Sequence, residues 1–358
     1  MASTSSVIVY MTDCIIVGGG LIGMLSAREL KKSGLDVLLL DKGELGNESS
    51  WAGGGILSPL HPWRYSDEVN RLASIGHQSY PQLAEELYKE SAVDPEYLRC
   101  GMMVLDSEEK SEALAWAKKW SMKLSILETS AAIQEHIPGL AKRFNQGLWL
   151  PDIAQMRNPR LVKSAKGSLD ALGVAYKENT RVEQLKVVEG QVKGVVANGD
   201  SYEADCVLIA GGAWSAEILK SQNAPAIQPV KGQMIIFKAP PGHLKGIVLA
   251  GNRYLIPRKD GRILCGSTIE HTGFDKSING NVKQQLIDSA IDILPSLEDF
   301  EVEHHWAGLR PGCPDGDPFI GMHDKTKGLY INAGHYRNGV ILGIGSARKI
   351  AKEICSSL

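Results

Sequence analysis

Cys14-Ile15-Ile16-Val17-Gly18-Gly19-Gly20-Leu21-Ile22-Gly23 opens a stretch that closes at Asp41, and its order of residue types decides the fold. A short apolar run flows into Gly-x-Gly-x-x-Gly. Helical spacing follows from Leu21 to about Lys32, and a second apolar run, Asp36 to Leu40, stops at Asp41. That is a strand–helix–strand unit. Gly18 permits the tight turn out of the first strand, Gly20 lets backbone approach a pyrophosphate, and Gly23 lets helix and sheet pack closely. The unpaired N–H groups around Leu21 and Ile22, at the positive end of the helix, then face the phosphates. Asp41, 18 residues after Gly23, is placed to accept a hydrogen bond from a ribose hydroxyl. Alone, this unit implies an adenine dinucleotide, with the nicotinamide and flavin kinds equally open.

Around that unit the chain has 358 residues, room for two domains or one large domain with an insertion. It is 43% hydrophobic and 22% charged, an ordinary globular composition, and its formal charge of −2 gives no general attraction to nucleic acid or an anionic membrane. The six cysteines (Cys14, Cys100, Cys206, Cys265, Cys313, Cys355) are scattered without a Cys-x-x-Cys pair. Reduced thiols in a cytoplasmic protein are expected, rather than disulfides or zinc. No apolar run approaches the ~20 residues of a membrane-spanning helix. Residues 1–10 lack the positive start of a secretory signal and are expected to form a poorly ordered extension, with Met11 a natural start.

After Asp41, the small-residue stretch Lys42 to Ser58, with Ser49-Ser50 and Gly53-Gly54-Gly55, suggests backbone passing close to something flat. Helices are expected over 66–91, 107–120 and from Asn158, as cap, to about Leu172. Ala175–Val182 and the segment 192–196 read as strands. Ala204 to Ala210 is an apolar strand ending in a Gly211-Gly212 turn, the kind of strand whose end meets ligand in a doubly wound sheet. Strands at Lys231–Phe237, Gly246–Leu249, Arg253–Pro257 and Arg262–Ser267, followed by a helix from Asn281 to Leu294, form a mostly antiparallel insertion. The expected fold class is thus α/β (α+β), a Rossmann-like dinucleotide domain joined to an antiparallel-sheet substrate domain. The first would comprise 11–90, 150–225 and 305–358, the second 91–149 and 226–304.

The spaced set Gly18–Gly23, Ser49-Ser50-Trp-Ala52-Gly53-Gly54, Trp306-Ala-Gly-Leu-Arg310-Pro-Gly and Gly334-His-Tyr-Arg337-Asn338-Gly339 resembles the D-amino acid oxidase family of flavoenzymes. Within it the chain is most similar to the glycine oxidases associated with thiamine thiazole biosynthesis, over everything from Asp13 onward. The resemblance implies noncovalent FAD, with its pyrophosphate over Gly18–Gly23, its ribose at Asp41 and its adenine by the backbone of Val182. Ser49–Gly54 and Gly334–Val340 would back the isoalloxazine ring, and Lys42, Gly211 and Trp214 are further expected contacts. Cys313 draws notice because related monomeric sarcosine oxidases attach flavin to a cysteine in their C-terminal region. A homo-oligomer, commonly a tetramer, is also implied.

Arg310 is the expected substrate anchor, since a guanidinium offers a fixed two-donor fork for a carboxylate. The resemblance implies that Tyr254 adds a phenol to the same carboxylate and that Arg337 sits by flavin and substrate. The resemblance places two departures at the pocket: Asn252 where some glycine oxidases have histidine, and Ile269 where they have methionine. No acid–base residue is expected. His304 and His305 point to opposite faces of a strand and read as structural. The implied reaction converts glycine, sarcosine or a small D-amino acid to an imine and then a 2-oxo acid, with O₂ reduced to H₂O₂. A dehydrogenase passing electrons to a quinone or a protein, and a flavin-binding protein without turnover, remain alternatives at this level.

Overall fold

The computed structural model describes residues 10–220 and 222–358. Two large sheets dominate it. The first has six strands in the order Phe319–Met322, Leu329–Ala333, Val207–Ile209, Cys14–Val17, Val37–Leu40, Ala175–Lys177. All neighbours run parallel except the edge strand Phe319–Met322. Its central strands are apolar on both faces and fully buried, as parallel strands covered by helices must be. The helices Leu21–Lys32, Asp67–Ser91, Asn158–Leu172 and Gly339–Ser357 share one core with them. A four-stranded sheet, which includes Val182–Val188 and Gln191–Ala197, covers the other face.

The second large sheet has eight strands: Val302–Gly312, Gln228–Phe237, Ile263–Gly266, Arg253–Pro257, Ile247–Ala250, Met102–Leu105, Gly147–Leu150 and Ser125–Leu127. Only the pair Ile247–Ala250 with Met102–Leu105 is parallel. The Rossmann-like sheet and the antiparallel insertion expected from sequence are both present.

Boundaries shift in informative ways. The strand Val302–Gly312 lies along Gln228–Phe237 in the eight-stranded sheet, so the stretch expected from 305 onward in the dinucleotide part begins in the other sheet. The expected strand Ala175–Val182 splits in two, because Glu178 to Arg181 form a turn with Asn179 at φ 53°. Asn158 is the first helical residue rather than a side-chain cap, and its amide instead donates to the Ser50 carbonyl at 2.6 Å. Of the expected N-terminal extension, residues 1–9 lie outside the described residues. Tyr10 and Met11 pair in parallel with Tyr202 and Glu203.

The two sheets position the site. The carboxyl ends of Cys14–Val17, Val37–Leu40, Val207–Ile209 and Leu329–Ala333 open at one edge of the first sheet. One face of the second sheet, carrying Gly232, Met234, Tyr254, Gly308 and Arg310, roofs the same space. In open α/β sheets that crevice is where ligands bind.

Candidate functional site

A cavity of about 910 Å³ fills the space between the sheets. At one end, Gly18 leaves the strand at φ 112°, and a Cβ there would stand 2.5 Å from the Ala210 carbonyl oxygen. A Cβ on Gly23 would stand 1.9 Å from the Gly18 carbonyl oxygen, so this glycine sets how closely the helix packs on the strand. Gly20 precedes a helix with no side-chain cap, and its only crowding neighbour is Ser50 Oγ at 3.2 Å. That leaves helix N–H groups aimed into the cavity. Leu21 N donates to Ser50 Oγ at 2.8 Å, tying this helix to the small-residue loop.

Asp41 lines the cavity at the end of its strand. Its carboxylate accepts from Gly19 N at 2.6 Å and Gly43 N at 2.8 Å. Burial raises its pKa, opposed by those two amides. Each oxygen keeps a second lone pair for a hydroxyl. Lys42 Nζ lies 3.2 Å from the Trp214 ring centroid, and Trp214 stacks on Phe274 with centroids 5.3 Å apart. Val182, Gly211 and Trp214 line the same end.

Farther along from the helix N-terminus, Ser49, Ser50, Ala52, Gly53 and Gly54 line the cavity together with Gly334, Arg337, Gly339 and Val340. A Cβ on Gly54 would meet Ile256 Cδ1 at 2.7 Å, so the glycine lets the loop lie close against the roof without displacing that side chain. Asn338 is buried behind the wall, and among the described residues neither its amide nitrogen nor the buried Nη2 of Arg337 has a hydrogen-bond partner. His335, fully buried, has its pKa pushed down to about 3 by desolvation and stays neutral. Cys313 does not line the cavity; its thiol lies 3.1 Å from the Gly334 carbonyl oxygen.

Arg310 enters from the roof. Its Nη2 donates to Ser267 Oγ at 2.6 Å and its Nη1 to the Thr268 carbonyl at 3.1 Å. Among the described residues, neither Arg310 nor Arg337 has a carboxylate within ion-pair distance. Burial, with the Arg337 charge nearby, lowers the Arg310 pKa. Tyr254, buried on the third strand over in the same sheet, sets its hydroxyl 3.7 Å from Met234 Sδ and beside the Arg310 guanidinium, whose charged form it favours. The structure thus brings Arg310, Tyr254 and Arg337 to one cavity end.

It does not bring Asn252 or Ile269 there. Asn252 is exposed in the turn before Arg253–Pro257, and Ile269, 46% exposed, lies beyond the end of Ile263–Gly266. Both sit past strand ends, where strand alternation no longer fixes direction, and neither lines the cavity.

Sequence reading passed over the residues that make room. A Cβ on Gly232 would stand 2.1 Å from Arg310 Nη2, and one on Gly266 2.7 Å from Tyr254 Oη. The available signal was a glycine inside each strand, which marks close approach. Thr180, Arg181, Glu217 and Lys220 also line the Asp41 end, with no motif to announce them.

A capless helix N-terminus, a carboxylate at ribose distance along the fold and a glycine-walled slot opposite them fit an extended adenine dinucleotide with a flat ring. Comparison with known proteins agrees. The profile described as DAO, FAD dependent oxidoreductase matches residues 13–353. Glycine oxidase of Pseudomonas putida is 45% identical over 93% of this chain and 92% of its own length. That of Pseudomonas aeruginosa is 44% identical over 94% and 93%. The crystal structure of glycine oxidase from Geobacillus kaustophilus superposes with a TM-score of 0.92 at 28% identity, covering 98% of this chain and 96% of that one. The chain belongs to the family of FAD-dependent oxidoreductases.

Proposed function

We propose that this protein is an FAD-dependent oxidase of glycine and small amines such as sarcosine and small D-amino acids. For glycine the balance is glycine + O₂ + H₂O giving glyoxylate, NH₃ and H₂O₂. The observation that carries the substrate class is the pair of guanidiniums, Arg310 and Arg337, which line the cavity beside the Tyr254 hydroxyl and have no carboxylate partner among the described residues. A buried cation left unpaired is costly unless a ligand completes it, and a bidentate carboxylate matches the guanidinium fork.

The cofactor would be held by Gly18–Gly23, Asp41, the Ser49–Gly54 loop and Gly334–Val340. The chemistry supplied by FAD held there would be acceptance of a hydride equivalent from the amine α-carbon and two-electron reduction of O₂. The chain's own contribution is orientation and charge. Arg310 and Tyr254 would fix the carboxylate, which leaves the α-carbon of a two-carbon amino acid little freedom. The two guanidiniums also disfavour a positively charged ammonium beside them, so the substrate amine is held neutral at its nitrogen. No side chain is required to remove the α-proton as a base. The roof of the second sheet and the loop 49–55 would limit water at this end once substrate is bound.

All six cysteines are unpaired, which supports a reducing, cytoplasmic setting. No described helix is long and apolar enough to cross a membrane. A homo-oligomer is part of the same proposal. An oxygen-uptake panel tests the reading: glycine and sarcosine should give the fastest consumption with matching H₂O₂. Uptake with none of the small amines would refute it.

A further inference from the structure

Arg258 is 6% exposed, lies just behind the cavity roof and is absent from the cavity wall. Among the described residues it has no ion pair. Its Nη2 donates to the Gly54 carbonyl at 2.9 Å, and its Nη1 to the Met156 carbonyl at 3.1 Å and to Gln155 Oε1. Gly55 O in turn accepts from Met156 N at 2.9 Å.

The rest of the loop follows the same pattern. The Ser50 carbonyl is held by the Asn158 amide at 2.6 Å, and the Ala52 carbonyl by Trp306 Nε1 at 3.1 Å. Carbonyls 50, 52 and 54 are therefore each tied by a side chain from outside the loop, and only the last of these side chains is charged. A trans peptide is planar, with its N–H on the edge opposite its C=O. With the Gly54 carbonyl fixed on Arg258, the Gly55 amide is turned the other way, and both glycines line the cavity.

We propose that Arg258 is a positioning residue for the reactive ring. It locks the Gly54–Gly55 peptide so that the Gly55 amide donates into the cavity, and it supplies a buried positive charge behind that peptide. Alternate held carbonyls explain why the loop needs glycine: with its carbonyls anchored outward, its amides and bare Cα atoms are what the ring meets. Burial lowers the Arg258 pKa to about 10, still fully charged at neutral pH. The charge favours added electron density on the ring side of the peptide. The inference rests on FAD as cofactor and not on the identity of the amine.

The test uses apoprotein and reconstituted enzyme of the wild type, Arg258→Met and Arg258→Lys. FAD is titrated by fluorescence quenching, the bound spectrum is recorded, and the flavin midpoint potential is measured. Arg258→Met should bind FAD at least tenfold more weakly. Its potential should move in the negative direction by about 30 mV, tenfold in a two-electron equilibrium. Arg258→Lys, which keeps the charge, should recover most of the potential while its single ammonium fails to recover full affinity. Wild-type affinity, spectrum and potential in Arg258→Met, with only a lower thermal midpoint, would overturn the proposal and leave Arg258 a structural staple. If the Met variant does not fold, the Lys variant decides: several-fold weaker FAD binding supports the proposal, and wild-type affinity with an unchanged spectrum refutes it. Glycine turnover is not needed for these readouts, so a failure of the oxidase reading would appear separately.

Discussion

Arg310 spends its described contacts on neutral oxygens of Ser267, Thr268 and Lys231 and none on an acid. Its charge is therefore available to a substrate carboxylate. Arg310→Ala should raise the KM for glycine by the equivalent of about 2–5 kcal/mol, the loss of one partner of a buried charge-assisted pair. FAD content should be unchanged, because this residue stands at the opposite end of the cavity from Gly18 and Asp41. Steady-state kinetics with flavin absorbance checks both, and an unchanged KM would remove Arg310 from the site. A second consequence concerns protons. With Arg310 and Arg337 beside it, the amine must bind uncharged, so kcat/KM should rise as pH is raised through the titration of the substrate amine. A flat profile across that range would contradict the charge argument.

The glycine-rich turn and its helix are one mechanical piece. A side chain at Gly23 would push the helix Leu21–Lys32 off the strand, since its Cβ would lie 1.9 Å from the Gly18 carbonyl oxygen. Gly23→Ala should therefore cost on the order of 1–3 kcal/mol in apoprotein stability by overpacking and weaken FAD binding as the helix N-terminus shifts. Denaturant unfolding and FAD titration check the two effects, and wild-type values in both would refute the packing role. This unit was legible in sequence because each glycine has a steric reason visible at its own position. The same holds for the helix Asn158–Leu172, which ends where expected but starts one residue early, with the expected cap Asn158 inside it and its side chain spent on Ser50. Arg310, Tyr254 and Arg337 were nameable only through a family resemblance. The meeting of Arg310 and Tyr254 depends on the register of Val302–Gly312, Gln228–Phe237, Ile263–Gly266 and Arg253–Pro257, and Arg337 joins them from the turn after Leu329–Ala333 in the other sheet, which no local pattern encodes. Asn252 and Ile269 failed to reach the cavity for the same reason: beyond a strand end, sequence position says little about direction.

At the scale of the molecule, burial leaves several imidazoles neutral in the fold. It lowers His335 to about 3, and His61 and His77 to about 4. In the unfolded chain each titrates near its ordinary value of 6.5. As pH falls the unfolded chain takes up protons first, so this stability is full above about pH 6.5 and is lost progressively toward pH 4. The slope is at most about 1.4 kcal/mol per pH unit for each imidazole. The thermal midpoint of the apoprotein should therefore fall between about pH 7 and pH 5, where carboxylates are still ionised, and a level midpoint there would contradict it. The two sheets together line one cavity that would join a dinucleotide end to a carboxylate-binding end, with the amine oxidised where they meet. Anaerobic mixing of the FAD-loaded protein with glycine tests this directly. The flavin absorbance should bleach and then return on admitting O₂, with one H₂O₂ and one glyoxylate formed per flavin reduced. Flavin that stays oxidised in the presence of glycine and sarcosine, or that returns only with a quinone and not with O₂, would contradict the account.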